Sequence, residues 1–531
     1  MIATEEARPP GFLEIPERLN IADRIVSRHV REGRGDRPAL HCGDESLTYA
    51  QLDERCNRAG NALLALGVER GDRFVIRAPN SLDYAATFLG GMKIGAVPIP
   101  SNTLFRAWEV GHTIENSDSR LVLTSADVRG PVDEVAPQCP TLPHVLLLES
   151  EFADLMAQAA PELDAADTGA NDPAYAIYTS GSTGKPKGVE HAHRMIVAAG
   201  DPVVHVQLGL TADDHMMVPI ELSSLITLDF SIFWPLAAGG QGSLFSGRFD
   251  PARFLAEVER RRLTIFMGVP TMFRFLLTVP NLEQYDLSSV RMTLVGGEPL
   301  PEDTYRAVKR TLGFEMYEMI GSTEGHPYIA NVLGRPPKVG SMGIALEGRR
   351  CTIRGDDGRE LPAGEIGHLC LASADPALAL GYRKQEEQWQ AMHRDGWFYS
   401  GDLAHRDESG YFWFHSRADD MILSRAYRIS PGEVESATME HPDVLESGVV
   451  GVPDPELGQR VRAYVVLKPG REPSDGLADE ICEVVRTVIA PYKAPKEIEF
   501  VSELPKTMSG KIQRKVLRER AAGDAGRPET D

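Results

Sequence analysis

Short apolar runs alternate with longer stretches of helical periodicity over the first 330 residues of the chain. Residues 74–76 and 96–98 are short runs of β-branched and other apolar side chains, which are typical of buried strands. Between them, residues 82–94 carry apolar side chains at helical spacing. A strand, a helix and a further strand in this order predict parallel α/β layers.

The pattern changes from about residue 332. Short strand-like runs are then separated by glycine and Asp-Gly turns, as in residues 349–371, and predict a small β module after the layered part. After residues 415–420 the pattern returns to mixed helix and strand. We therefore predict an α/β fold with a large N-terminal domain of layered α/β subdomains plus a small β module, followed by a small α+β C-terminal domain.

Charge and composition narrow the classes of function. The chain has 77 acidic and 56 basic side chains, a net charge of −21 and no basic run, so nucleic acid is not an expected partner. No stretch reaches the roughly 20 apolar residues of a membrane span, and the first residues lack the apolar core of a signal peptide. The six cysteines are dispersed, which indicates neither a zinc site nor a disulfide framework. We expect a folded cytoplasmic protein.

Residues 178–188 predict a loop that binds a polyphosphate. Its glycines let successive backbone N–H groups converge on an anion, while hydroxyl groups add donors and lysines add positive charge. The residues with these roles are Thr179, Ser180, Gly181, Ser182, Thr183, Gly184, Lys185 and Lys187. The loop is not a Walker A motif, because Thr179 stands where that motif has Gly and Pro186 follows Lys185 where it has Ser or Thr.

The order of residues in this loop resembles the signature of the adenylate-forming superfamily, which contains acyl- and aryl-CoA synthetases. The resemblance implies a two-step reaction. A carboxylate attacks the α-phosphate of ATP and releases pyrophosphate, and a thiol then captures the acyl-AMP. It also implies ATP and Mg²⁺ as cofactors and CoA as second substrate.

Two further blocks resemble family segments around the nucleotide. Residues 294–300 resemble the segment against adenine, with Gly296, Gly297, Glu298 and Pro299 at its centre. Residues 320–325 resemble the block that contains Gly321 and Ser322, followed by Thr323 at the phosphate and Glu324 as the Mg²⁺ ligand. One carboxylate with phosphate oxygens is a sufficient protein contribution for this hard cation.

Three later residues complete the predicted nucleotide site. Asp402 matches the family aspartate that binds both ribose hydroxyls, and Arg417 matches the arginine that faces phosphate. Lys511 matches the lysine of the C-terminal domain that enters the site for adenylation.

The resemblance also divides the chain. It predicts an N-terminal adenylation domain at 1–415 with its β module at about 333–415, a hinge at 416–420 with Asp419 as pivot, and a mobile C-terminal lid domain at 421–531.

The sequence departs from the family in two places. Ala426 replaces the glycine beside the pantetheine path, and Leu423 replaces a lysine, so a carrier-protein thiol or an amine remains an alternative acceptor to CoA. The stretch at 219–236 is unusually polar, and we interpret Glu221, Thr227 and Asp229 as candidates for the substrate pocket. Solvated or capping roles are the alternative for the two acidic residues.

The sequence thus predicts an ATP-dependent ligase that activates a carboxylic acid as acyl-AMP and transfers it to CoA. Its motif details are closest to benzoate-like and medium-chain acid CoA ligases, which favours an aromatic or short- to medium-chain acid. Two different functions stay open at the level of sequence, namely activation of another oxyanion such as nitrite and nucleotide binding by a degenerate sensor protein. Monomer and homodimer are equally compatible with the sequence.

Overall fold

The computed structural model describes residues 13–139, 142, 144–180, 185–331, 336–418, 420–424, 427–454, 457–506 and 512–524. The strands, in chain order, are β1 (Pro38–Cys42), β2 (Glu45–Thr48), β3 (Arg73–Arg77), β4 (Val97–Pro100), β5 (Leu121–Thr124), β6 (His144–Leu147), β7 (Pro173–Ser180), β8 (Pro186–Ala192), β9 (His215–Val218), β10 (Gln241–Leu244), β11 (Ile265–Gly268), β12 (Met292–Val295), β13 (Met316–Ser322), β14 (His326–Ala330), β15 (Ile344–Ala345), β16 (Cys351–Arg354), β17 (Gly367–Ala372), β18 (Gly381–Tyr382), β19 (His393–Arg394), β20 (Trp397–Arg406), β21 (Phe412–Arg417), β22 (Ile422–Ser424), β23 (Tyr427–Ile429), β24 (Val444–Asp454), β25 (Gly458–Leu467) and β26 (Glu497–Phe500).

The α-helices are α1 (Arg28–Arg31), α2 (Tyr49–Ala65), α3 (Leu82–Lys93), α4 (Ala107–Ser117), α5 (Gly130–Val135), α6 (Ala153–Gln158), α7 (Met195–Ala198), α8 (Leu225–Thr227), α9 (Trp234–Ala237), α10 (Pro251–Arg261), α11 (Pro270–Leu276), α12 (Glu302–Leu312), α13 (Glu386–Ala391), α14 (Pro431–Met439), α15 (Asp475–Val488) and α16 (Arg514–Asp524). Short π- or 3₁₀-helical segments lie at Asp23–Ser27, Ala126–Val128, Ala136–Gln138, Leu148–Phe152, Pro202–Gln207, Leu228–Phe233, Leu282–Gln284 and Pro491–Lys493.

The N-terminal part is built on two largely parallel sheets. The larger has the order β15-β14-β13-β12-β11-β9-β10-β1-β2, and the smaller has the order β4-β3-β5-β6. Their central strands are buried along their length, as in β5, β9 and β12, which is expected where helices cover both faces of a parallel sheet. The α/β layers predicted from the alternating pattern are confirmed.

The chain forms three further sheets. One has the order β18-β8-β7, the second joins β16-β17-β20-β19 with β21 on β20, and the third joins β23-β22-β25-β24 with β26 on β25. The second contains the short antiparallel strands predicted from the Asp-Gly turns, and the third packs against α14 and α16. The mixed C-terminal α+β part is thus also confirmed, while the exact domain boundaries stay predictions. None of the helices in the described residues is long and apolar enough to cross a membrane.

The turn of the β13–β14 hairpin, residues 323–325, carries two of the predicted site residues. Ser322 pairs with His326 across the hairpin. The Arg349 guanidinium donates to the carbonyl oxygens of Gly325 and Pro327, each at 2.9 Å. The same guanidinium is paired with Asp375 at 2.6 Å, and both side chains are almost fully buried, at 1% and 2% exposure. A buried ion pair therefore holds the backbone at the base of the turn.

We expect Arg349→Met to lower the free energy of unfolding by about 3–5 kcal/mol, because it leaves the Asp375 carboxylate buried without its partner. Equilibrium urea unfolding followed by tryptophan fluorescence measures this change. The control is Arg359→Met, since Arg359 pairs with Asp357 at 3.5 Å but is 87% exposed. The control should change stability by less than about 0.5 kcal/mol. Equal effects of the two variants would contradict this account of the turn.

Candidate active site

The predicted phosphate loop joins two antiparallel strands. Thr179 pairs with Lys187 and Ser180 with Pro186, so β7 and β8 bring the two ends of the loop together. Gly188 is required here, because a Cβ at this position would lie 2.6 Å from the Tyr178 ring. The Lys187 ammonium lies 4.9 Å from the centroid of the Tyr382 ring, while Lys185 is exposed. The remaining predicted loop residues, Gly181, Ser182, Thr183 and Gly184, lie outside the described residues.

The segment predicted to face adenine follows directly after β12. Gly296 is closely packed, since a Cβ there would lie 2.8 Å from the Met267 side chain, and Gly297 has a φ of +84°. The Glu298 carboxylate accepts a hydrogen bond from Thr271 at 3.2 Å, and burial raises the pKa of Glu298. Pro299 next to it is exposed. The two glycines thus let the backbone turn sharply at the carboxyl end of a central parallel strand, where ligands of open α/β sheets bind.

Thr323 and Glu324 lie in the turn between β13 and β14. Gly321, just before it, admits no side chain, because a Cβ would lie 2.3 Å from the His326 carbonyl oxygen. Ser322 has a buried hydroxyl without a hydrogen-bond partner. The Tyr382 hydroxyl donates to Glu324 Oε1 at 2.6 Å, and the Ala379 amide donates to the Glu324 carbonyl at 2.8 Å. Both the backbone and the carboxylate of Glu324 are therefore fixed.

Asp402 and Arg417 are neighbours on paired strands. They are opposite each other in β20 and β21, and Arg417 Nη1 donates to Asp402 Oδ1 at 2.9 Å and to the Ser400 carbonyl at 3.0 Å. The other oxygen, Asp402 Oδ2, accepts from Ser400 at 3.1 Å and from Tyr328 at 3.4 Å. Tyr328 belongs to β14, so these contacts connect Asp402 to the hairpin that carries Glu324.

The predicted pivot Asp419 and the predicted lysine Lys511 lie outside the described residues. The adjacent Asp420 is paired with Arg518 at 2.7 Å and with Arg514 at 3.4 Å, both on the C-terminal helix α16. Arg514 is also paired with Glu435 of α14 at 2.6 Å. The chain just after the predicted pivot is thus attached to the C-terminal part.

Two of the three candidate pocket residues, Glu221 and Asp229, make hydrogen bonds inside the protein. The Glu221 carboxylate accepts a hydrogen bond from the Thr103 hydroxyl at 2.6 Å, and burial raises the pKa of Glu221. Thr227 is fully buried. Both carboxylate oxygens of Asp229 lie 3.1 Å from Nδ1 of His326. The Thr227 hydroxyl is buried without a hydrogen-bond partner. The assignment of these three residues to the substrate pocket stays a prediction.

His326 is the centre of a buried polar group that the sequence did not indicate. Its Nε2 lies 3.2 Å from both Tyr175 Oη and His191 Nδ1, and its φ of +53° is unusual for a residue other than glycine. Burial raises the pKa of Asp229 well above its usual range and lowers the pKa of His326 to about 3. Both shifts favour a neutral pair. A strained backbone of this kind persists only where surrounding contacts determine it.

Two further residues of the site were missed at the sequence level. Tyr382 contacts Glu324 across a sequence separation of 58 residues, and a lone Gly-Tyr pair gives no signal of such a contact. Glu318 of β13 is buried, accepts a 3.4 Å hydrogen bond from the Leu300 amide, and has its pKa raised to about 8 by burial. An acidic residue within an apolar strand pattern was the only signal for Glu318.

The donor set around Glu324 fits a magnesium ion held mainly by a nucleotide. No group of three or more His, Cys, Asp or Glu side chains in the described part of the chain is arranged to hold a metal ion. Mg²⁺ usually keeps several waters and takes one or two carboxylates together with phosphate oxygens. Glu324, with Thr323 beside it and Lys187 nearby, meets this smaller requirement.

We expect Asp229→Ala to lower the free energy of unfolding by about 1–3 kcal/mol, because it leaves a His326 ring nitrogen buried without a partner. Asp229→Asn should restore most of the loss, since its amide offers both a donor and an acceptor at the same place. Equilibrium urea unfolding measures the free energy of unfolding of both variants. The control is Asp213→Ala, whose side chain is 93% exposed. A loss in the asparagine variant as large as in the alanine variant would contradict the hydrogen-bonding role.

Comparisons with known proteins identify the family of the chain. The AMP-binding enzyme family matches residues 27–383, and the AMP-binding enzyme C-terminal domain matches residues 433–511. Benzoate–CoA ligase of Thauera aromatica is 33% identical over 97% of this chain and 98% of its own length. Acetyl-coenzyme A synthetase of Bacillus subtilis (strain 168) is 34% identical over 94% of this chain and 90% of its own length.

A solved structure of a CoA ligase has the same fold. The anthranilate CoA ligase AuaEII in complex with anthranoyl-AMP superposes with a TM-score of 0.90 and 32% identity, covering 96% of this chain and 99% of that one. The relatives are acid–CoA ligases, and the resemblance stated from the motifs is confirmed. The chain belongs to the AMP-binding enzyme family.

Proposed function

We propose that the protein is an AMP-forming acid–CoA ligase that uses ATP and Mg²⁺ and acts on an aromatic or short- to medium-chain carboxylic acid. One observation carries the proposal. Lys187, Glu324 and Asp402 come from motifs far apart in the sequence, yet they are connected through Tyr382 and through the hairpin residue Tyr328. A positive charge, a metal-binding carboxylate and a diol acceptor in one place are what a nucleoside triphosphate requires.

In the first step, a carboxylate oxygen of the acid attacks the α-phosphorus of ATP, and pyrophosphate leaves with the electron pair of the broken P–O bond. Lys187 would bind phosphate oxygens and Glu324 would hold Mg²⁺, which supplies charge neutralisation when bound. Lys511 would neutralise the charge that develops on the α-phosphate. The residues proposed to bind the nucleotide are Thr179, Ser180, Gly181, Ser182, Thr183, Gly184, Lys185, Lys187, Gly296, Gly297, Glu298, Pro299, Gly321, Ser322, Thr323, Asp402 and Arg417.

In the second step, the CoA thiol, after loss of its proton, attacks the acyl carbonyl and AMP leaves. We propose that the C-terminal part rotates about Asp419 between the steps. Support comes from the contacts around this position, where Arg417 is bound to Asp402 and Asp420 to Arg518 of the C-terminal helix. A few residues between two such attachments are enough to absorb a rotation. CoA as the acceptor is supported by the acid–CoA ligases among the relatives.

The first test is ATP–pyrophosphate exchange across a panel of aromatic, short- and medium-chain acids, with amino acids and nitrite included. We expect exchange with at least one non-amino carboxylic acid and Mg²⁺, and formation of the acyl-CoA when CoA is added. Lys511→Ala should lower the exchange rate by roughly 100- to 1,000-fold, because it removes a charge that acts in the transition state. The control is Lys515→Ala, an exposed lysine of α16 that should leave exchange unchanged. Exchange with nitrite alone, or with no carboxylate, would refute the proposal.

The acceptor path has its own test at Ala426. If its methyl group crowds the CoA pantetheine, Ala426→Gly should accelerate thioester formation by about 5- to 150-fold, the equivalent of roughly 1–3 kcal/mol for one excess carbon in a packed site. Adenylation should stay the same, since the acceptor takes part only in the second step. Pyrophosphate exchange and single-turnover transfer to CoA measure the two steps separately. An unchanged or slower transfer would show that Ala426 does not obstruct the path.

A further inference from the structure

Tyr382 is the residue at which three parts of the site meet. It lies in β18, where it pairs with Val189 of β8, so it belongs to the same small sheet as the two ends of the predicted phosphate loop. Its hydroxyl donates to Glu324 Oε1 at 2.6 Å. Its ring centroid lies 4.9 Å from the Lys187 ammonium, within the range of a cation–π interaction.

The phenol of Tyr382 is held in place from several directions. Its neighbours in the chain donate backbone hydrogen bonds to β8, from the Leu380 amide to the Glu190 carbonyl and from the Arg383 amide to the Gly188 carbonyl, each at 2.7 Å. Its ring packs against the Trp389 ring in a T-shaped arrangement with the ring centroids 5.2 Å apart, and both residues are buried. A hydroxyl fixed in this way has little freedom to lose when it binds a carboxylate.

We propose that Tyr382 is a positioning residue. It orients the Glu324 carboxylate for Mg²⁺ and fixes the position of this carboxylate relative to Lys187, next to the phosphate loop. The proposal rests on the function proposed above, in which Glu324 holds the metal ion. It gives Tyr382 no contact with the acid or the nucleotide.

The physical reason is the freedom of a carboxylate on a hairpin turn. A glutamate side chain has three rotatable bonds, and ordering it costs conformational entropy. The hydrogen bond from Tyr382 engages Oε1 before any metal ion arrives, which leaves the second oxygen to coordinate. Hydrogen-bond partners of metal-ligating carboxylates are generally worth about 10- to 100-fold in metal affinity or activity. The same ring under Lys187 links the metal ligand to β8, the strand that follows the phosphate loop.

The test is Tyr382→Phe, which removes the hydroxyl and keeps the ring that contacts Lys187 and Trp389. We expect the Mg²⁺ affinity of the enzyme with a non-hydrolysable ATP analogue, measured by calorimetry, to weaken by about 10- to 100-fold. The Mg²⁺ concentration at half-maximal pyrophosphate exchange should rise in parallel. Binding of the analogue without Mg²⁺ should stay within about twofold of the wild type, because the hydroxyl does not contact the nucleotide.

The matched control is Tyr305→Phe. Tyr305, on α12, also donates a hydrogen bond to a glutamate, Glu315, at 2.5 Å, but Glu315 lies just before β13, at the opposite end of that strand from the turn with Glu324. We expect no change in Mg²⁺ affinity for this variant. Thermal unfolding of both variants separates a local effect from a general loss of stability.

A double-mutant cycle with Glu324→Gln identifies the route of the effect. If Tyr382 acts through the Glu324 carboxylate, adding Tyr382→Phe to Glu324→Gln should weaken Mg²⁺ affinity by less than about twofold further. Full additivity, or a Tyr382→Phe variant with wild-type Mg²⁺ affinity, would overturn the inference. A wild-type protein without exchange for any acid would instead refute the proposed function, and the calorimetric comparison would still decide the role of Tyr382.

Discussion

The rest of the site depends on the fixed position of the turn that carries Thr323 and Glu324. A hairpin tip is ordinarily among the more mobile parts of a structure. Here its base is held by Arg349, which donates to two carbonyls of the turn region, and by the buried side chain of His326. The strained backbone of His326 costs of order 1 kcal/mol, which the surrounding buried contacts offset. The core thus carries the strain, and the tip presents its side chains without having to be ordered by the substrate.

The residues on the two sides of the predicted hinge are attached to different parts of the protein. On one side, Arg417 is bound to Asp402, and the Ala418 amide donates to the Gly401 carbonyl at 2.8 Å. On the other side, Asp420 is paired with Arg518 of the C-terminal helix. A rotation of the C-terminal part need not break either attachment if it is confined to the residues between them. Arg417, the residue predicted to face phosphate, would therefore keep its place if the C-terminal part changes orientation.

The sequence was sufficient for the family and for the layered fold. The order of residues around Lys187, Thr323 and Asp402 indicated the family, and parallel α/β layers followed from the alternating pattern. Tyr382 and His326 could not be found in this way, because their roles come from contacts across distant strands rather than from local spacing. A motif names the residues that meet the ligand, whereas the residues that orient them are selected by packing and leave no fixed pattern.

The polar stretch at 219–236 shows how the same limit affects substrate prediction. Its residues Glu221, Thr227 and Asp229 are candidates for the substrate pocket, and in the structure Asp229 is bonded to His326, and Glu221 to Thr103. The Ser231 hydroxyl accepts a hydrogen bond from the Val218 amide at 3.0 Å. Part of the polarity of this stretch is therefore used within the protein, to fix the end of β9 and the β13–β14 hairpin. The Thr227 hydroxyl is the exception, because it is buried without a hydrogen-bond partner. The polarity of a stretch therefore does not by itself tell which of its side chains face a ligand, since that depends on contacts with distant elements.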